Sequence, residues 1–140
     1  MIRGVGLDAV RVARVARLET RYGLRFVRRL LDPEEFAAWE RRGPGRSVRY
    51  LAGRFAAKEA VVKALGTGFS GGLGLRAVAV VNDASGRPEV RLSAAAEALA
   101  RARGIRRFEI SLSDEGGWVF AFALALADGG CGSGRGDGSV

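Results

Sequence analysis

Apolar and polar residues alternate over residues 2–8, and this pattern predicts the first strand. Successive side chains of a strand point to opposite faces, so Gly4, Gly6 and Asp8 share one face. Glycines on that face would allow another backbone or a ligand to approach closely. Asp8 ends the predicted strand and so stands next to whatever packs on the glycines.

The apolar positions that follow recur at helical spacing and predict four helices. The third helix begins at Asp32 and Pro33, which are favourable N-cap and first-turn residues. The fourth is long and stops before Gly66, a residue type that commonly follows a helix C-terminus. The predicted helices cover residues 9–22, 24–31, 33–42 and 48–65.

The pattern then changes to strands at residues 76–83 and 89–92, which are separated by the turn sequence "ASGRP". Ser93 is placed to cap a helix that ends at Gly104, and "RRFEISLS" and "WVFAFALALA" predict a hairpin across "DEGG". The order β–α–α–α–α–β–β–α–β–β predicts an α+β fold. In that fold a mainly antiparallel sheet packs with a long central helix and shorter helices.

The length of 140 residues fits one domain, which we place at residues 1–127. From Asp128 onward the chain consists largely of Gly, Ser, Asp and Arg, so a disordered tail is predicted at 128–140. No apolar run reaches transmembrane length, and the N-terminus is too broken by Gly and Asp for a secretory signal. The predicted location is cytoplasmic, without a membrane partner.

The chain has no histidine, and its one cysteine, Cys131, lies in the predicted tail. Histidine triads, histidine-ligated zinc and an internal disulfide are therefore excluded. A metal would have to be a hard ion held by oxygens, such as magnesium or calcium. The net charge of +8 predicts an anionic partner, and it leaves nucleic acid, an anionic cofactor and an acidic protein open.

The helix over 48–65 carries a polar stripe on an otherwise apolar surface. Glu59 and Lys63 are four residues apart, and their simplest interpretation is a surface ion pair. Arg54 and Lys58 have the same spacing but like charges, which repel unless solvent screens them or an anion lies between them. The stripe is therefore typical of one wall of an anion site.

Asp8 and Glu59 are two carboxylates suited to a magnesium ion, which usually binds one or two protein carboxylates together with substrate phosphates and water. Asp8 is also placed to cap the helix at 9–22, and the two roles are compatible. Arginines recur along one face of that helix beside Leu18. This face is either simply solvated or a docking surface for an acidic partner helix.

Five stretches of the chain match a known family in the family's order. The chain resembles the holo-acyl-carrier-protein synthases, the small bacterial class of 4′-phosphopantetheinyl transferases. The N-terminal GxGLD together with the central block is the most specific part of the match. The stretches are "GVGLDAVRVARV" at 4–15, "FVRRLLDPEEFAAW" at 26–39, "YLAGRFAAKEAVVKALGTG" at 50–68, "GRPEVRLS" at 86–93 and "EISLS" at 109–113.

This resemblance implies the fold of that family and its reaction, in which the phosphopantetheine arm of coenzyme A is moved onto a serine of an apo acyl carrier protein. The reaction uses magnesium and releases adenosine 3′,5′-bisphosphate. The resemblance also implies a homotrimer with active sites between neighbouring subunits. It makes an acidic carrier protein, and not nucleic acid, the partner.

The resemblance further implies roles for individual residues. Asp8 and Glu59 match the metal ligands, Glu59 also matches the general base, and Lys63 completes the catalytic set. The implied coenzyme A residues are Arg46, Arg54, Lys58, Lys63, Gly66, Thr67, Gly68, Arg87, Pro88, Ser113 and Asp114. The implied carrier-protein surface consists of Arg11, Arg14, Arg17, Leu18 and Arg21.

One position departs from the family pattern. Members usually read Ser-x-Ser-His, whereas this chain has "SLSD" with Asp114 at the histidine position. An aspartate beside a phosphate is unfavourable unless it binds metal or turns away. The alternative to catalysis is therefore a carrier-binding homologue with impaired coenzyme A binding. A basic nucleic-acid binder is a third hypothesis, which predicts salt-dependent affinity for DNA that does not depend on Asp8.

Overall fold

The computed structural model describes residues 1–43, 46–68 and 73–129. Within these ranges the order of elements agrees with the order predicted from the hydrophobic pattern. The strands are β1 Ile2–Arg11, β2 Val78–Asn82, β3 Pro88–Leu92, β4 Arg107–Glu115 and β5 Trp118–Leu126. The helices are α1 Val12–Tyr22, α2 Leu24–Leu30, α3 Pro33–Glu40, α4 Arg46–Leu65 and α5 Ala94–Ala102, with a 3₁₀ turn at Leu75–Ala77.

Three strands form an antiparallel sheet in the order β1-β5-β4. The β4–β5 hairpin turns at Gly116 and Gly117, whose φ angles of 58° and 80° lie in the left-handed region that favours glycine. β2 and β3 form a separate two-stranded antiparallel sheet. The α+β fold class with antiparallel sheets and a long central helix is confirmed.

Helix α4 lies against the inner face of the three-stranded sheet, where small residues of β5 face it. Ala121, Ala123 and Ala125 alternate along β5 and are fully buried. Ala56, Ala60 and other small apolar residues of α4 are buried as well, so the helix and the sheet approach each other closely. None of the described helices is long and apolar enough to cross a membrane.

Two glycines of β1 allow the closest approach between the sheet and α4. A Cβ atom at Gly4 would stand 1.9 Å from the carbonyl oxygen of Ala64, and one at Gly6 would stand 1.8 Å from that of Ala60. Both distances are far inside van der Waals contact, so only glycine fits at either position. The prediction that another backbone approaches this face is therefore confirmed, and that backbone is α4.

The boundary between β1 and α1 differs from the predicted one. β1 continues to Arg11, because it pairs with β5 along its whole length and Arg11 still faces Trp118. Helix α1 consequently starts at Val12, with Arg11 in the N-cap position. The predicted role of Asp8 as the helix cap is wrong, since Asp8 lies inside the strand. Of the predicted tail at 128–140, residues 130–140 lie outside the described residues.

We expect Gly6→Ala to lower the free energy of unfolding by about 2 kcal/mol or more, because the new Cβ atom has to push β1 away from α4. Gly53→Ala in α4 is the matched control: a Cβ atom there meets nothing within 4 Å, and alanine favours the helix by about 1 kcal/mol over glycine. Urea unfolding followed by circular dichroism measures both variants. Equal stability of the two variants would contradict the close contact.

Candidate active site

Asp8 and Lys63 meet at the interface between β1 and α4. The Lys63 ammonium donates to Asp8 Oδ1 at 3.2 Å and to the Leu7 carbonyl oxygen at 3.0 Å. The Asp8 side chain is 16% exposed and that of Lys63 is 53% exposed, so the pair lies at an open edge. Sequence spacing suggested that Lys63 pairs with Glu59, but the ion pair it forms is with Asp8.

Glu59 lies close enough to this pair to be affected by its charges. Partial burial raises the pKa of the Glu59 carboxyl above its usual range, and the neighbouring Asp8 carboxylate raises it further. Lys63 and Arg14 act in the opposite direction and limit the rise. The structure thus brings Asp8, Glu59 and Lys63 together, as the sequence analysis predicted.

A magnesium ion fits the chemistry of this cluster. It prefers oxygen ligands and commonly takes one or two protein carboxylates, with phosphates and water completing its shell. Among the described residues no group of three or more Asp, Glu, His or Cys side chains is placed to hold a metal by itself. Asp8 and Glu59 could therefore hold such an ion only together with oxygens from a substrate or from water.

Lys58 does not line an anion site, and this prediction is wrong. Its side chain is fully buried, and its ammonium donates to Glu35 Oε1 at 2.6 Å. It also donates to the carbonyl oxygens of Leu30 and Leu75. Burial lowers the pKa of Lys58, and the Glu35 carboxylate partly offsets that effect.

Glu35 is the anion that lies between the like-charged residues of α4. One carboxylate oxygen contacts Lys58, and the other lies 3.9 Å from Arg54 Nε and accepts from the backbone N–H of Val80. Glu35 also completes a capping box with Asp32 at the start of α3. Of the two possibilities for Arg54 and Lys58, solvent screening or an intervening anion, the structure shows the anion, and it belongs to the protein. The sequence "DPEE" at 32–35 has the acidic residues at the two positions that form a capping box.

A cleft of about 680 Å³ opens between α4 and the end of β4, apart from the Asp8–Lys63 edge, and we call it the α4–β4 cleft. Of the predicted coenzyme A residues it contains Arg54, Ser113 and Asp114. Sequence reasoning missed its other polar side chains, because they come from a loop, the exposed start of α4 and the end of β2. Those side chains are Arg42, Arg49, Tyr50 and Asn82.

The remaining predicted coenzyme A residues lie on turns or at the ends of helices and strands. Gly66 and Gly68 have φ angles of 85° and 61°, and with Thr67 they form the turn that ends α4. Pro88 begins β3 opposite Asn82, which lines the α4–β4 cleft. Arg87 precedes it, and its exposed guanidinium lies 3.7 Å from Glu109. Arg46 is the first residue of α4, and its side chain lies outside the described residues.

The arginine-rich face of α1 begins at Arg14. Arg14, Arg17, Leu18 and Arg21 share one face of the helix, which we call the α1 face. Arg11 is not part of it, because it ends β1 and its guanidinium stacks on Trp118 at 4.7 Å from the ring centre. The inclusion of Arg11 on the helix face is therefore wrong.

A groove of about 450 Å³ continues the α1 face onto α2. Its apolar members are Leu18, Tyr22 and Phe26, and its charged members are Arg25 and Arg29. Apart from Leu18, the sequence analysis did not single these residues out, because α2 was interpreted only as a short helix. The combination of an apolar floor and a basic rim suits an amphipathic acidic helix.

Known proteins place the chain in a family. A model of the 4′-phosphopantetheinyl transferase superfamily matches residues 4–123. A holo-[acyl-carrier-protein] synthase of Desulfovibrio desulfuricans is 47% identical over 115 residues, which are 82% of this chain and 90% of the relative. The crystal structure of the synthase from Neisseria meningitidis superposes with a TM-score of 0.84 at 41% identity, over 90% of this chain and 99% of that chain.

A further solved structure is the Helicobacter pylori synthase in complex with coenzyme A. It has a TM-score of 0.75 at 25% identity and covers 87% of this chain and 99% of that chain. The chain belongs to the holo-[acyl-carrier-protein] synthase family of the 4′-phosphopantetheinyl transferase superfamily. The resemblance drawn from the sequence and the assignment to this class of transferase are confirmed.

We expect Lys58→Met to lower the free energy of unfolding by about 3–5 kcal/mol, because the buried Glu35 carboxylate loses its nearest counter-ion and keeps only Arg54, at 3.9 Å. The double variant Glu35→Gln with Lys58→Met should recover a substantial part of this loss, because no buried charge then remains at either position. Urea unfolding compares the two. A double variant no more stable than Lys58→Met would contradict the assignment of Lys58 to this internal pair.

Proposed function

We propose that this chain transfers the 4′-phosphopantetheine group of coenzyme A to a serine hydroxyl of an apo acyl carrier protein, with Asp8, Glu59 and Lys63 as its catalytic set. The observation that carries the proposal is the convergence of these three side chains at one open edge between β1 and α4. Partial burial and the neighbouring Asp8 carboxylate raise the pKa of Glu59, which favours Glu59 as the base. The chain contains no histidine for that task.

In the proposed reaction the serine oxygen forms a bond to the phosphorus on the pantetheine side of the coenzyme A diphosphate. The bond from that phosphorus to the bridging oxygen breaks, and adenosine 3′,5′-bisphosphate leaves. Glu59 accepts the serine proton, and Lys63 supplies positive charge for the diphosphate oxygens. Asp8 and Glu59 would hold magnesium, which neutralises charge on the leaving phosphate when bound.

The α4–β4 cleft supports the proposed binding of coenzyme A, because three arginines and one aspartate line it. None of the described residues lining this cleft belongs to the catalytic set. One subunit therefore presents the two parts of the site separately. This arrangement supports a shared site, in which one subunit supplies Asp8, Glu59 and Lys63 and its neighbour supplies the cleft.

The outer face of the three-stranded sheet supports association into the implied homotrimer. This outer sheet face carries Val5, Leu7, Phe120 and Phe122, which are 55%, 61%, 40% and 39% exposed. Leu7 and Phe122 are directly opposite each other on β1 and β5, so the exposed apolar side chains are contiguous. Contiguous apolar surface of this kind is typical of subunit interfaces.

The α1 face supports docking of the acidic carrier protein. Arg17 and Arg21 are exposed, and the groove beside Leu18 offers an apolar anchor site. Arg14 stacks on Phe55 of α4 at 5.7 Å and lies close enough to Glu59 to lower its pKa. A carrier helix bound to the α1 face would therefore lie beside the proposed base, where its serine has to arrive.

We expect Glu59→Gln to slow transfer by about 10²–10⁴-fold, since that is the usual contribution of a general base. The protein, apo carrier protein, coenzyme A and magnesium are incubated together, and the mass of the carrier is followed. Glu97→Gln is the matched control, because Glu97 is an exposed glutamate of α5 paired with Arg101. It should keep the rate of the unmodified chain.

Absence of a phosphopantetheine mass gain with several carrier proteins would contradict the proposed function. If those carriers still bound, the non-catalytic alternative would hold. Full activity of Glu59→Gln or of Asp8→Ala would leave the transferase in place and overturn the assignment of its base and metal ligands. DNA binding that is strong at moderate salt and unaffected by Asp8→Ala would favour the nucleic-acid hypothesis.

We expect Phe122→Lys to convert a trimer into monomers, because it places a charge at the centre of the outer sheet face. Light scattering on a sizing column measures the mass of the particle. Ala98→Lys, at an exposed position of α5, adds the same charge elsewhere and should leave the assembly intact. A monomeric unmodified chain, or a trimer that survives Phe122→Lys, would contradict the proposed interface.

A further inference from the structure

The α4–β4 cleft holds one negative side chain among three positive ones. Arg42, Arg49 and Arg54 contribute three charges of one sign and Asp114 one of the other, so the cleft is net positive by two. A net positive cleft favours an anion. Asp114 nonetheless weakens this preference, because its carboxylate lies in the wall of the cleft and repels the same anionic ligand that the arginines attract.

Arg54 is the arginine of the cleft that is buried and held by contacts with neighbouring elements. It is 6% exposed, and its Nη2 donates to Asn82 Oδ1 at 3.3 Å. Its guanidinium lies 4.5 Å from the centre of the Tyr50 ring, which the Arg42 guanidinium also approaches at 4.3 Å. Within the described residues Arg54 Nε is buried and has no hydrogen-bond acceptor. This fixed cation therefore still has a donor unused.

Arg49 forms an ion pair with Asp114. Its Nη1 donates to Asp114 Oδ2 at 3.1 Å, across 65 positions of sequence. The side chains are 64% and 46% exposed, and an ion pair this exposed contributes little to stability. The contact is thus poorly explained as a device that holds the fold together.

We propose that Arg49 is the counter-ion that makes the α4–β4 cleft tolerant of an anionic ligand despite Asp114. This inference rests on the proposed function in one respect: the ligand class is a nucleoside bisphosphate, the part of coenzyme A that carries phosphates on a ribose. Arg49 opposes the field of the Asp114 carboxylate at the ligand, so that the remaining arginines of the cleft, Arg42 and Arg54, can attract the ligand phosphate. Arg49 is thereby a specificity-determining residue of the cleft.

This role predicts a particular coupling between the two side chains. Removal of Arg49 alone exposes the ligand to an uncompensated carboxylate, whereas removal of both charges leaves the cleft as positive as before. An arginine that served only as a direct phosphate ligand would show no such recovery.

The test measures binding of adenosine 3′,5′-bisphosphate by calorimetry at low salt, with Arg49→Gln, Asp114→Asn and the double variant. We expect Arg49→Gln to raise Kd about ten-fold, and the double variant to return to within about three-fold of the unmodified chain. Asp114→Asn alone leaves the Arg49 charge unopposed, so it should lower Kd and not raise it above that of the unmodified chain. The ten-fold effect should shrink at high salt, since exposed charges are then screened.

Arg91→Gln is the matched control. Arg91 is an exposed arginine that donates to Glu34 at 2.8 Å, outside the cleft. The substitution changes the charge of the whole protein by the same amount and leaves a similar carboxylate unpaired, so it should leave Kd unchanged.

Equal affinity of Arg49→Gln and the double variant would overturn the counter-ion role, as would an Arg49→Gln variant that binds like the unmodified chain. Failure of the unmodified chain to bind the bisphosphate would overturn it too. The mass-shift assay separates this failure from failure of the proposed function. If the Arg49→Gln variant still modifies the carrier and its KM for coenzyme A is unchanged, the chain is a transferase. Only the counter-ion role of Arg49 is then wrong.

Discussion

The direct contact between the backbones of β1 and α4 is the constraint on which the rest of this structure depends. Gly4 and Gly6 carry no side chain, so the strand can lie against the carbonyl oxygens of Ala64 and Ala60. Asp8 follows on the same face of the strand, and the Lys63 ammonium reaches both its carboxylate and the neighbouring carbonyl oxygen of Leu7. The proposed catalytic set of Asp8, Glu59 and Lys63 therefore depends on how closely the helix approaches the strand.

The opposite side of α4 is held by a buried charge. Glu35 lies between Arg54 and Lys58 and also binds the backbone N–H of Val80, so one carboxylate joins α3, α4 and β2. Replacement of such a pair by apolar residues is often neutral or stabilising, which means that stability alone does not account for it. The pair does require that Arg54 and Lys58 face Glu35, and this constrains the rotation of α4 about its axis. That rotation decides that Arg54 lines the cleft while Glu59 and Lys63 face β1.

The sequence was sufficient to predict the order of the elements and the proximity of Asp8, Glu59 and Lys63. The alternation in β1 placed Gly4, Gly6 and Asp8 on one face, and helical spacing placed Glu59 beside Lys63. It was insufficient wherever the partner comes from a distant part of the chain. The burial of Lys58 depends on Glu35, 23 positions away, and the end of β1 depends on its pairing with Trp118. The local sequence pattern holds no information on either contact. The spacing of Arg54 and Lys58 therefore indicated an anion without identifying it.

The two polar pairs of α4 follow from a single geometric fact. Residues four apart on a helix lie about 40° apart around its axis, so a pair at that spacing shares one neighbour. Arg54 and Lys58 share Glu35, while Glu59 and Lys63 share Asp8. Each pair therefore meets one carboxylate from another element, and the difference in function comes from exposure. Where water is excluded, the carboxylate is fully neutralised and serves the fold. At the open edge, the Asp8 and Glu59 carboxylates lie beside Lys63 and Arg14, and a divalent cation could bind between the two carboxylates.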